Sequence, residues 1–294
     1  MQKEGCSMVV KEYDNARKFL EEYETTMLER EAVSQLILYN AYQSRNNNIT
    51  RQGIFGAVTA EEGVILLYCN ILPHNLVIYV AKEDHAISAA AYLADYLGSN
   101  NVIINGINAR LNICHSFIEQ YKKYFNCTFV ERLGMDIMEI RTVYDIKPAE
   151  GYQRLANGKD LKLIADWMIE FQIEALRSEM DYEAALKKAS KYIDEERIYL
   201  YENEEGIVVT MAIAARKLLH GMAITYVFTP EEFRGKGYAA ANMFYLSRVL
   251  LEDGYEFCTL FVDKNNPLSN RAYEKVGYTI LEDNYEYNLI MAEE

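Results

Sequence analysis

Apolar and polar positions change period several times along the chain, and each change marks an expected element. Residues 160–180, DLKLIADWMIEFQIEALRSEM, place apolar side chains three and four apart and predict a helix, and DYEAALKKASKYIDEE predicts a second. RIYLYENEEGIVVTMAIAARK and GMAITYVFT are rich in Val, Ile, Tyr and Thr around an Asn-Glu-Glu-Gly turn, which predicts three consecutive antiparallel strands. A helix through about Glu252, a strand over EFCTLFVD, a short helix from Leu268 to Val276 and a last strand near Asn284–Ile290 complete this half.

The first half follows the same rhythm more faintly. A helical region over 11–45 precedes strands near GIFGAVTA, GVILLYCN and NLVIYVA. HAISAAAYLADYLG then predicts a helix, NVIIN a strand, LNICHSFIEQYKKYF a helix, and TFVERLGMDIMEIRTVYDI closes with strand character. Few residues match between the halves, so the pattern suggests a duplicated structure without a sequence repeat. DIKPAEGYQRLANGKD, residues 145–160, holds one proline and two glycines and reads as a linker, which gives domains at 1–146 and 147–294.

Composition narrows the function classes. A chain of 294 residues, half of them hydrophobic, suffices for two globular domains. No apolar run approaches the roughly 18 residues that span a bilayer, and the N-terminal apolar stretch is too short for a signal peptide, so a cytoplasmic protein with no membrane partner is expected. A net charge of −14 repels phosphates and argues against a nucleic-acid partner, while it suits a cationic acceptor. The cysteines, at 6, 69, 114, 127 and 258, are odd in number and scattered, which fits reduced thiols. Cys114 and His115 adjoin, but no second pair lies at zinc-ligand spacing, and no metal is expected.

The chemistry concentrates in YVFTPEEFRGKGYAAANMFYL, residues 226–246, where strand-like sequence gives way to helix. Gly235 and Gly237 suit positive φ and let a ligand approach the main chain. The following helix offers free N–H groups and the positive end of its dipole, and Arg234 and Lys236 add charge, so the join suits a pyrophosphate. No Walker pattern is present. The looser dinucleotide fingerprint is satisfied by Gly-Lys-Gly-Tyr-Ala-Ala, with Glu256 at ribose-binding distance, but Thr-Pro-Glu-Glu-Phe separates strand from glycines and antiparallel strands precede it. In the first half the corresponding join is AKEDHA, which has no glycine.

Arg234-Gly-Lys-Gly237-Tyr-Ala239 resembles the Arg/Gln-x-x-Gly-x-Gly/Ala signature of the GNAT (GCN5-related) N-acetyltransferases. Asp263-Lys-Asn-Asn266-Pro-Leu-Ser269-Asn270-Arg-Ala-Tyr273-Glu-Lys-Val-Gly277-Tyr278 resembles the segment after that family's fifth strand. The detailed likeness covers roughly 155–290. The N-terminal half resembles the degenerate first domain of bacterial tandem GNAT proteins only in its order of elements. The resemblance implies an α/β (α+β) fold of two GNAT-like domains, each a mixed, mostly antiparallel sheet flanked by helices, with acetyl-CoA as acyl donor and no metal. It implies that Val227, Phe228 and Thr229 offer strand backbone to the pantetheine and acetyl group. The amides of Arg234, Gly235, Lys236, Gly237, Tyr238 and Ala239 would hold the phosphates, Asn266 the pantetheine arm, and Tyr273 would face the leaving thiolate as catalytic residue.

Acceptors in this family generally enter past the first helix, where Trp167, Glu170, Phe171 and Glu174 share a face by their spacing. The stripe would receive a cationic amine, and the same spacing suits core aromatics flanked by solvated acids. For Tyr273, passing a proton from a phenol near pKa 10 to a thiolate whose acid is near 8.5 is uphill by about 2 kcal/mol, so a donated hydrogen bond is the alternative role. The fourth strand has no glutamate, Thr225 and Tyr226 are poor bases, and His220 stands at the strand's mouth. No base is assigned, and water relaying to a distant carboxylate stays open. The expected function is acetyl transfer to an amine, small molecule or peptide, of unspecified identity. The alternatives are a non-catalytic acyl-CoA sensor and a FemABX-type aminoacyl transferase, and the intact turn and acidic charge speak against the latter.

Overall fold

A computed structural model describes residues 7–46 and 53–292; Cys6 lies outside the described residues. The chain divides into two compact units, Met1–Gly134 with Glu282–Glu294, and Met135–Leu281. In chain order the first holds β1 (Val9–Tyr13), α1 (Ala16–Leu28), α2 (Glu31–Asn46), β2 (Gly53–Ala60), β3 (Gly63–Ile71), β4 (Leu76–Val80), α3 (Ala86–Ser99), β5 (Gly106–Ala109), α4 (Leu111–Tyr121) and the start of β6 (Cys127–Ile140). The rest of β6 belongs to the second, with β7 (Tyr152–Leu155), α5 (Leu161–Leu176), α6 (Tyr182–Asp194), β8 (Ile198–Glu202), β9 (Val208–Lys217), β10 (Gly221–Phe228), α7 (Tyr238–Glu252), β11 (Phe257–Asp263) and α8 (Pro267–Val276). The final strand, β12 (Thr279–Met291), starts in the second unit and ends in the first.

In the first unit β1, β2, β3 and β4 form an antiparallel meander, and β4 runs parallel to β5 over Leu76–Val77. β12 adds to β5 antiparallel, with Tyr285 opposite Ala109. β3 buries every residue from Ile65 to Asn70, because helices cover both faces of the sheet and alternation is lost. Leu93 and Phe117 pack in the cluster formed with α3 and α4, and Phe19, Met27 and Phe55 in the one formed with α1 and α2.

Three expectations change here. The helical region over 11–45 opens with the strand β1 and breaks between α1 and α2. NVIIN is not a strand: Asn101 takes φ +55°, and the amides of Asn101 and Val102 bond the carbonyls of Gly98 and Leu97, so these residues close the end of α3. β5 begins after them at Gly106. The stretch 145–160, read as a linker, contains β7, which pairs antiparallel with β8. An ion network holds it, because the Arg154 guanidinium meets Glu202 and also forks onto Asp160 at 2.8 and 2.9 Å. Asp160 further accepts the Asn157 amide at 2.8 Å and so starts α5. The Arg154 partner keeps its carboxyl below the usual aspartate range.

In the second unit β7, β8, β9 and β10 are antiparallel neighbours, as the three predicted strands require. β11 lies parallel to β10 and antiparallel to the second part of β6, where Met135 faces Asp263. The compact units part at 134/135 and 281/282, because each of β6 and β12 begins in one unit and pairs in the other. A chain truncated after Leu281 loses the antiparallel partner of β5. Hydrogen exchange is expected to show protection lost over Gly106–Ala109 and retained over Phe257–Asp263.

Candidate active site

β10 pairs with β11 only from Gly221 to Ala223, and no register continues beyond that point. On its other side, Thr225 faces Ile213 and Phe228 faces Met211, so Tyr226 and Val227 together oppose the single residue Ala212. This is a bulge, with Tyr226 at φ +50°. Plain alternation would send Tyr226 to the face that buries Met222 and Ile224. The extra residue turns Tyr226 and Phe228 toward α5 and α6 and leaves Val227 with the cluster under α7 and α8. The gap between the parting strands thus has Val227 at its lip.

Polar groups beyond the bulge are fastened inside the protein. Thr210, fully buried on β9, donates its hydroxyl to the Phe228 carbonyl at 2.7 Å and accepts from Thr229 Oγ1 at 2.9 Å. The Thr229 carbonyl accepts from Arg234 Nε at 2.8 Å. Of the three strand residues expected to meet the pantetheine, Phe228 and Thr229 have committed carbonyls. Val227 is in register with neither neighbouring strand.

A single 3₁₀ turn, Glu231–Phe233, leads to the glycines. Gly235 and Gly237 adopt φ +76° and +85°, which side-chain-bearing residues reach only with strain. A Cβ at Gly235 would meet nothing within 4 Å, and one at Gly237 would meet only Ala149 at 3.7 Å, so open space lies over both. α7 starts at Tyr238 with no side chain capping it, which leaves its first N–H groups directed into that space. Lys236 is exposed beside them. These features fit a pyrophosphate held by main-chain amides, the part of acetyl-CoA expected there. Glu256, the ribose partner of the dinucleotide alternative, lies just before β11 and bonds the His220 carbonyl, at the opposite end of the paired strands.

The helix stripe divides. Trp167 is a core residue, 6% exposed, with its ring 6.0 Å from that of Phe228. Glu174 is exposed and bonds Arg234 Nη2 at 2.6 Å. Glu170 is exposed, and burial of its carboxyl, then the charges of Glu174, Asp166 and Glu232, raise its pKa. Phe171 packs on Tyr226 with centroids 4.8 Å apart.

Asn266 caps α8, its Oδ1 accepting the Ser269 amide at 3.1 Å, so only its amide nitrogen is open to another group. Tyr273 is 6% exposed and shares a cluster with Val262, Ala240 and Tyr278. Burial raises its pKa strongly, against a smaller opposing hydrogen bond with Ser269. It is therefore a neutral phenol that gives up its proton less readily than in water, which favours the donated hydrogen bond over full transfer. His220 sits before the paired end of β10, on the order of 20 Å from Val227 at about 3.3 Å per residue; it is not at the gap. Cys114 and His115 do not converge, since the thiol bonds the Ala109 carbonyl and the ring faces Tyr287. Among the described residues no group of three or more His, Cys, Asp or Glu could hold a metal, and no helix is long and apolar enough to cross a membrane.

Sequence reasoning missed Thr210, Lys188, Gln172 and Ser178. Lys188 on α6 donates to the Tyr226 hydroxyl at 2.9 Å, that hydroxyl donates to Gln172 Oε1 at 3.4 Å, and Gln172 Nε2 donates to Ser178 Oγ at 2.8 Å. Thr210 carried a signal, as the one hydroxyl in the apolar run VVTMAIAA. A lysine on a helix rich in lysines carried none.

Residues 161–278 match the acetyltransferase (GNAT) family. Solved structures extend the likeness over both units. A GCN5-related N-acetyltransferase from Sphaerobacter thermophilus is 14% identical with a TM-score of 0.59, over 96% of this chain and 95% of that one. A GNAT-family acetyltransferase from Colwellia psychrerythraea is 10% identical with a TM-score of 0.53, over 96% and 100%. A Drosophila protein is 13% identical with a TM-score of 0.61, over 97% and 99%. At these identities the structures speak for the fold alone. No curated protein matches the chain. Residues 161–278 are a GNAT acetyltransferase domain, of a family that uses acetyl-CoA, and this domain makes the protein an acyltransferase.

Thr210→Val would leave the Phe228 carbonyl without its buried donor. Thermal or denaturant unfolding is expected to show about 1–3 kcal/mol of lost stability, the usual cost of an unsatisfied buried group.

Proposed function

We propose that the second unit moves an acetyl group from acetyl-CoA to an amine, at the gap where β10 leaves β11. The observation that carries this is the joint placement of the gap and the open glycine turn on one continuous segment, Ala223 to Tyr238. The Arg234 amide bonds the Glu231 carbonyl at 3.2 Å, so of the amides expected from Arg234 to Ala239 those from Gly235 onward hold the pyrophosphate, and the Asn266 amide nitrogen meets the pantetheine arm. The thioester, when bound, supplies an activated acyl carbon and a thiolate leaving group.

The chain's own groups do the remainder. A backbone N–H at the bulge, freed from β11, donates a hydrogen bond to the acyl oxygen as negative charge develops on it. Tyr273 donates a hydrogen bond toward the sulfur while keeping its proton. The amine must arrive or become neutral, and among the described residues of β10 no side chain is suited to take its proton, so water carries it to the carboxylates of α5, where burial raises the pKa of Glu170. The first unit takes no acyl-CoA in this reading. Its corresponding turn holds Glu83 in a fork with Arg110 at 2.5 and 2.8 Å, which places an acid where a phosphate would lie.

Thiol release from acetyl-CoA over a panel of amines tests the reading. Turnover with at least one amine is expected, and Gly237→Glu, which combines a strained φ with an acid in the phosphate space, should abolish acetyl-CoA binding. Binding that survives this change would sink the assignment of the turn. Tyr273→Phe is expected to lower kcat by about 10²-fold or more; a loss below about threefold removes Tyr273 from the reaction.

A further inference from the structure

Most half-buried cations of this acidic chain meet carboxylates. Arg110, Arg132, Arg154 and Lys264, whose side chains are 14%, 24%, 27% and 34% exposed, face Glu83, Glu286, Glu202 and Asp136. Lys188 departs from this. It is half-buried, and among the described residues no carboxylate pairs with it, although Asp and Glu outnumber Lys and Arg by 44 to 30. Its ammonium rests on a neutral phenol, donating one N–H to Tyr226 Oη at 2.9 Å with the nitrogen 4.8 Å from the ring centre. An ammonium has three N–H groups, so two remain to be satisfied.

The position has a direction. Tyr226 is the bulged residue of β10, adjacent in sequence to Val227 at the lip of the gap. The hydrogen bonds run one way, from Lys188 to Tyr226, from Tyr226 to Gln172, and from Gln172 to Ser178. Such a chain turns an acceptor inward at each step and leaves donors over, the two N–H groups of Lys188, the second Nε2–H of Gln172 and the hydroxyl hydrogen of Ser178. A surface of spare donors around a cation recognises an anion.

We propose that Lys188 anchors a carboxylate carried by the acceptor, so that the acceptor is a small amino acid and not a simple amine or polyamine. This rests on the acetyl-transfer reading above and deepens it. Tyr226 orients the ammonium, and the bulge that opens the gap is the same feature that turns Tyr226 toward α6. The acids of α5 then take up the proton released at the other end of the same molecule.

The test compares short amino acids with the alkylamines and aminoalkyl phosphates of equal length. The full chain should favour the amino acids over the alkylamines by about 10-fold or more in kcat/KM. Lys188→Met should raise KM for the amino acids by about 10–100-fold, with less effect on kcat, and level the preference. Lys188→Arg should restore much of it, and Lys188→Gln serves if the methionine variant fails to fold, with acetyl-CoA binding as the check on folding. A purely structural lysine would raise KM equally for amino acids and alkylamines, and that result overturns the proposal. A Lys188-dependent preference for aminoalkyl phosphates overturns the carboxylate. Calorimetry with N-acetylated amino acids, the expected products, separates the two readings. Binding that needs Lys188 without any turnover keeps the anchor and removes the transferase reading; turnover of alkylamines with no Lys188-dependent binding does the reverse.

Discussion

The site depends on one extra residue in β10. Two residues of that strand face one of β9, and the strand can then no longer follow β11. A non-glycine residue at φ +50° costs about 1–2 kcal/mol. The cost is offset where the side chain goes. Tyr226 is buried against Phe171 and holds the Lys188 ammonium, and Thr210 secures the strand two residues on. Without the bulge, β10 would stay paired, Tyr226 would point under α7 and α8, and no main-chain group would be free at the gap.

Charge is arranged with equal economy. In the proposed reading a polyphosphate approaches a protein of net charge −14, and the Arg234 side chain contributes little, because it is already held by Thr229 and Glu174. The attraction that remains is local, from amides at a helix start and from Lys236. Such dipoles act within about one turn and do not depend on the net charge of the surface. The Glu174–Arg234 pair has a second effect. It ties α5 to the glycine turn, so under the proposed reading the acceptor side and the donor side of the site are fixed to each other.

Comparison of the two turns shows what makes the difference. Both units have a parallel pair of short register followed by a helix, β4 with β5 in the first and β10 with β11 in the second. In the first, His85 takes φ +67° at the start of α3, so the backbone shape is partly kept. The glycines are absent, and Glu83, its pKa lowered by Arg110, fills the turn with fixed negative charge. Geometry of the backbone alone does not make a phosphate site. Bare amides and vacant space above them are also required.

The glycine turn and the order of elements in the second unit were legible from the sequence because each is a local property. Positive φ demands glycine, a helix start demands a cap or leaves bare amides, and strand and helix differ in period. The meeting of Lys188 with the bulge was not legible, since the register shift that turns Tyr226 toward α6 leaves no mark on composition. Nor could the sequence tell that β6 and β12 each serve a unit other than the one in which they begin. Pairing between strands far apart in the chain is decided by which edges are left open once both sheets exist, and only the tertiary structure records that.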